Sequence, residues 1–217
     1  MSSQPVEHAA VEAAHGPLPG RLKAATSDLH RRAERSRLMH ALLSGHLSRE
    51  RYLALMHNLA ALYAELEAQL RAWSGSPFVV LDRQAALDGD LSLLDPEPSS
   101  RPPLAAAMEE YVQRLRGLAV RAPHRLAAHA YVRYLGDLYG GQVLRGCVRR
   151  LFDLPDDRAL RFYSFGDEAT TTALRTDFRQ RLGLWHVSAG QADEVVAEAQ
   201  WAYEAHVRLF DELLSPN

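Results

Sequence analysis

The sequence predicts an all-α fold, a single multi-helix domain of about seven or eight helices. Three observations predict it. Apolar residues recur three and four positions apart along most of the chain, and no stretch alternates as a half-buried strand does. Cap residues and helix breakers punctuate those stretches about one helix length apart. The 217 residues are 47% apolar, which suits one domain with a continuous core.

Each element follows in order. Residues 1–17 lack periodicity, so a disordered lead-in is expected there, with the helical domain over 18–217. From Leu22 the pattern turns helical, with Leu22, Ala25, Leu29 and Ala33 on one face. A short helix over 38–43 is stopped by Gly45. Ser48 caps a long helix that carries Tyr52, Leu55, Leu59, Leu62 and Leu66, and SGSP at 74–77 breaks it. A helix over 82–94 precedes the loop DPEPSSRPP. Pro103 opens the helix LAAAMEEYVQRLRGLAV, and Pro123 closes it. One long helix is expected over 124–152. DLPDD is a loop, and RFYSFGDE carries no helical pattern and could be extended. Two helices, over 169–183 and 190–214, complete the chain.

Composition narrows the function. A net charge of −2 gives nucleic acid and membrane surfaces no general electrostatic hold. The one cysteine, Cys147, excludes an internal disulfide and suits a reducing compartment. The N-terminus has no basic and apolar leader, and no apolar run approaches the roughly 20 residues of a spanning helix. A soluble cytoplasmic protein without a membrane anchor is the expectation.

The chemistry gathers in two stretches. YLGDLYGG, residues 134–141, places Gly136, Gly140 and Gly141 inside a helix, where each costs roughly 1 kcal/mol relative to Ala. Gly136 and Gly140 share a face. They serve either close helix packing or the approach of backbone to something flat and large. Asp137 lies beside that face. It either pairs with Arg133, four residues earlier, or aims a carboxylate into the space the glycines open. The second stretch holds His30, with Glu34 one turn on to accept the other imidazole N–H. Lys23 lies roughly 10 Å back along the same face. A metal centre with acidic edges would suit that pair. Arg175 and Arg179 form a basic pair at i,i+4, either a solvated face or an anion contact, and Tyr131 is a further candidate contact.

These residues resemble the haem oxygenases, of the soluble bacterial, biliverdin-producing type. AHAYVRYLGDLYGGQVL, residues 128–144, is similar to the family's distal-helix signature. LKAATSDLHRRAE, residues 22–34, resembles its proximal-helix signature. Their separation and the tail LFDEL at 209–213 agree with the family.

The resemblance implies haem b, as cofactor and substrate, sandwiched between a proximal helix and a glycine-kinked distal helix. It implies His30 as the axial iron ligand, oriented by Glu34. Gly136, Gly140 and Gly141 would lie against the porphyrin face. Asp137, with Arg133 and Tyr63, would form the distal network over the iron. Lys23, Tyr131, Arg175 and Arg179 would hold the haem propionates. The implied reaction consumes dioxygen and releases biliverdin, carbon monoxide and ferrous iron. Its electrons would come from a ferredoxin, a flavodoxin or a reductase. A haem carrier or sensor is the competing expectation. A di-iron or thiamin-degrading relative is disfavoured by the lack of paired Glu-x-x-His sets. Three positions depart from the family pattern: Ser27 where some members have Lys, Tyr139 where Ser is usual, and His206 where some have Asn.

Overall fold

The computed structural model describes residues 16–97 and 103–215. The lead-in expected over 1–17 lies outside these residues, save for its last two. So does the middle of the DPEPSSRPP loop.

The first helix, α1, spans Leu18–Glu34. It starts four residues earlier than periodicity predicts, because a proline in the first turn needs no amide partner. Ser36 caps α2 (Arg37–Leu43), and Gly45, at φ +76°, ends it as predicted. Ser48 caps α3 (Arg49–Ala72), and α4 covers Arg83–Leu94. α5 (Ala106–Arg121) has no side-chain cap of its own; Glu212, near the far end of the chain, accepts the Ala107 amide at 3.1 Å. Near the C-terminus, Asp167 caps α8 (Glu168–Leu184), and Ser188 with Gln191 forms a reciprocal capping box on α9 (Ala189–Leu214).

The long helix expected over 124–152 is not one helix. A 3₁₀ turn (Pro123–Arg125) leads into α6 (Leu126–Ala130), a π turn (Tyr131–Leu135) and α7 (Gly136–Leu151). The irregularity lies directly before the glycines rather than at them. The widened turn is a single-turn π segment of the kind found at functional sites.

RFYSFGDE is not extended either. It holds a 3₁₀ turn, Arg161–Tyr163, which the sequence does not announce because its partners are distant. The buried Asp90 of α4 accepts the amides of Arg161 and Phe162, each at 2.9 Å. Arg83 donates to the carbonyls of Phe162 and Ser164 at 3.2 and 2.9 Å.

That turn packs on α7 at Gly141. A Cβ there would stand 2.8 Å from the Tyr163 carbonyl oxygen, so only glycine lets the two backbones meet. Gly141→Ala is expected to destabilise the protein by about 1–3 kcal/mol, read as a lower urea midpoint at unchanged slope. An unaltered midpoint would mean that the turn gives way freely.

α9 closes the bundle. It packs on α1, α2, α5 and α6, and it buries Ala192, Ala199, Ala202 and Ala205. These small side chains keep the helices close. The core runs through Leu22, Leu62, Leu66, Leu115 and Val195, all fully buried. No helix among the described residues is long and apolar enough to cross a membrane.

Candidate active site

α1 faces the π turn and α7 across two adjoining cavities of about 600 and 190 Å³. His30, Gly136 and Tyr203 line both, so the two form one space.

The larger part is bounded by Lys23, Thr26 and His30 of α1, by Tyr131, Leu135 and Tyr139 opposite, and by Arg179 of α8. Neither Lys23 nor Arg179 makes an ion pair among the described residues, so both cations are available to an acidic ligand at the mouth. Burial raises the Tyr131 hydroxyl above its ordinary range, and the nearby Arg179 opposes that rise. Tyr131 lines the cavity and presents a hydroxyl that can donate there.

His30 projects a half-exposed imidazole into the space. Its Nδ1 faces Glu34 Oε2 at 3.4 Å, which leaves Nε2 open to a ligand. Tyr203 of α9 stands edge-on to the ring, with centroids 5.7 Å apart. Opposite, a Cβ added to Gly136 would touch nothing within 4 Å, and one on Gly140 would touch only Leu144 Cδ1, at 4.0 Å. Open space therefore lies over both glycines, next to bare helix backbone.

A polar network opens on the glycine side. Arg133 Nη2 donates to Asp137 Oδ1 at 2.9 Å, and Tyr63 donates its hydroxyl to Asp137 Oδ2. Arg133 Nε also donates to Tyr63 Oη at 3.0 Å, and Nη1 donates to His206 Nε2 at 3.2 Å. His206 Nδ1 donates to the Ala202 carbonyl at 2.7 Å, which fixes the tautomer. Burial, then the charge of Arg133, pushes His206 down to about 3, so it is a neutral acceptor. Burial raises the Asp137 carboxyl, while Arg133 and Tyr63 hold it down in part. Two acceptor positions of the carboxylate are filled; the others are left for the cavity, which Asp137 lines.

Behind this network lies a second one that the sequence did not disclose. Glu198, fully buried on α9, accepts from Arg114 Nε at 2.5 Å and Arg125 Nη2 at 2.8 Å. His129 Nε2 donates to Glu198 Oε1 at 3.1 Å, and His129 Nδ1 accepts the Tyr111 hydroxyl at 2.8 Å. Burial drives His129 below its ordinary value, which keeps the ring neutral.

Most of the predicted site is thus one place. His30, Glu34, Lys23, Tyr131, Gly136, Gly140, Arg133, Asp137 and Arg179 line the space. Tyr63 sits one layer back and reaches it through Asp137. Two of the predicted residues lie apart from the cavity wall. Gly141 turns away from the cavity against Tyr163, because its face of α7 is taken by the 3₁₀ turn. Arg175 does not reach the wall; its guanidinium lies against Tyr139 and 3.4 Å from Glu168. Tyr203 and Thr26 line the space without having been singled out. Tyr203 has a weak signal, since it precedes His206 by three residues on one helix.

The family model described as Heme oxygenase matches residues 17–212, nearly the whole described chain. The chain belongs to the haem oxygenase family. It is 33% identical to human Heme oxygenase 1 over 201 residues, covering 88% of this chain and 70% of the human one. With Heme oxygenase 1 of Nostoc it shares 31% over 203 residues, covering 90% and 85% of the two chains. The crystal structure of heme oxygenase-1 from Synechocystis, in complex with heme, superposes with a TM-score of 0.84 at 29% identity, covering 92% of this chain and 93% of that one. Heme oxygenase from Leptospira interrogans gives 0.83, also at 29%, over 91% and 100%. The haem oxygenase fold, all-helical and in one domain, is therefore the fold of this chain. The residues of the cavity suit haem: one open imidazole nitrogen, cations at one edge that have no ion pair among the described residues, and bare backbone opposite the imidazole.

Proposed function

We propose that this haem oxygenase cleaves haem to biliverdin, carbon monoxide and ferrous iron in the cavity between α1 and α7. One observation carries the reading. The open nitrogen of His30 and the Asp137 network face the same space, and bare glycine backbone flanks Asp137 opposite the imidazole.

Bound haem supplies the iron that carries dioxygen and the ring that is oxidised. The chain does the rest. His30 offers Nε2 to the iron, with Glu34 fixing the tautomer. Lys23, Arg179 and Tyr131 hold the propionate edge. Gly136 and Gly140, with open space over them, would let the ring lie against bare helix backbone. Asp137, with Arg133 and Tyr63 on part of its carboxylate, keeps acceptor positions toward the cavity that would anchor a water for proton delivery. His206, the departure at the distal network, takes no ligand role here, since both ring nitrogens are engaged.

Electrons come from outside the chain. Its single cysteine cannot hold an iron–sulfur cluster, and a ferredoxin, flavodoxin or reductase fits that need. A cytoplasmic location accords with such a donor.

The deciding experiment is single turnover. The protein is reconstituted with haem and reduced in air with catalase present. Loss of the Soret band with growth of a biliverdin band in the red is expected. A ferrous or oxygenated complex that never bleaches would instead make the chain a haem carrier or sensor. In the same assay, His30→Ala is expected to retain part of its haem, lose the axial-ligand spectrum and form no biliverdin. An unchanged spectrum would place the ligand elsewhere.

A further inference from the structure

Tyr139 stands at the mouth of the larger cavity, with 48% of its surface exposed. Hydrophobic burial does not account for its position. The ring is held against two cations, with the Arg175 Cζ 5.0 Å and the Arg179 Cζ 5.2 Å from its centroid. Those arginines lie one turn apart on α8, where like charges repel. An aromatic face attracts both and offsets that repulsion.

Neither guanidinium is well satisfied otherwise. Arg175 reaches Glu168 at only 3.4 Å, and its Nε is buried without a hydrogen-bond partner. Arg179 has no ion pair among the described residues and turns into the cavity. The pair is held in place with donor capacity to spare.

We propose that Tyr139 is a specificity-determining residue, whose ring, backed by Arg175, holds Arg179 in the cavity as an anion grip and so fixes the in-plane rotation of a flat, dicarboxylate substrate. The proposal rests on the haem reading above. Two facing helices leave a flat ring one free motion, rotation about its own normal. Only its acidic edge can be gripped against that motion. Lys23 grips from α1, and a second grip from α8 is needed to stop the turn. Tyr139 belongs to α7 and ties that second grip to the helix opposite His30. The ring atom presented to Asp137 then depends on Tyr139, although Tyr139 touches neither Asp137 nor His30 in this geometry.

The test compares Tyr139→Phe, Tyr139→Leu and Tyr139→Ser with the parent. Haem is titrated into each, the haem methyl resonances of the ferric cyanide complex are counted by proton NMR, and the biliverdin isomers are separated. Tyr139→Phe keeps the aromatic face and is expected to match the parent in all three. Tyr139→Leu and Tyr139→Ser are expected to bind haem about 3–10-fold more weakly. They are also expected to show a second rotational population and to yield mixed isomers. A single unshifted set of methyl resonances with parental affinity in both variants overturns the proposal. Should the parent hold haem yet form no biliverdin, the reaction assigned above falls, and the titration and methyl count still decide the role of Tyr139. Leu keeps bulk at the site, so the comparison stands even where Ser impairs folding.

Discussion

Asp137→Ala is expected to bind haem nearly as the parent does and to form biliverdin at least about 100-fold more slowly. The side chain is only 10% exposed, yet it lines the glycine side of the cavity. It also gathers the hydrogen bonds of Arg133 and Tyr63 on one carboxylate. Burial raises its pKa, and the charge of Arg133 and the Tyr63 hydrogen bond oppose that rise. Removing it takes away the carboxylate on the glycine side but no contact on the His30 side. Two features make the outcome readable. Arg133 keeps His206 Nε2 at 3.2 Å and Tyr63 Oη at 3.0 Å as acceptors, so it is not left bare. Asp137→Asn keeps the shape and the Arg133 contact without the acidic proton, and it is expected to be as slow as the Ala variant. Parental turnover in either would remove Asp137 from the chemistry.

The largest expected effect on stability lies at Glu198. Its carboxylate is fully buried and takes Arg114, Arg125 and His129 together. Burial pushes its pKa up, but the hydrogen bonds from His129 and Arg114 outweigh burial and bring the carboxyl to about 2. Glu198→Ala leaves those donors facing an apolar void. The expected loss is about 3 kcal/mol, the low end of the 3–5 kcal/mol range, because both arginines retain some access to water. The sign with pH follows from a depressed value. The carboxylate contributes its full stability above the unfolded value of 4.5 and loses it as pH falls toward 2. Urea midpoints measured from pH 6 down to pH 2.5 should fall more steeply for the parent than for the variant. Parallel curves would mean that the arginines find other partners.

Local signals carried far in this chain. The Ser48 cap announced α3, since a serine before an apolar run acts within four residues of itself. His30 and Asp137 were legible because each lies in a short, unusual string. Distant pairings were not legible. Asp90 shapes the turn at Arg161–Tyr163 from another helix, and that turn claims Gly141 for packing. Glu198 reads in sequence as a surface glutamate of an amphipathic helix, and only the arrival of Arg114, Arg125 and His129 explains its burial. Arg175 shows the same limit, because a one-turn spacing gives direction along α8 but not reach.

The π turn at Tyr131–Leu135 gives this helix two phase settings. It holds one residue more than a regular turn, so the faces before and after it are offset by about 100°. His129 points to Glu198 on one setting, and Asp137 meets the cavity on the other. Removing one residue anywhere between them would turn one partnership away as it restored a uniform helix. The segment from His129 to Asp137 therefore fixes the chain length between the two buried networks at a single value.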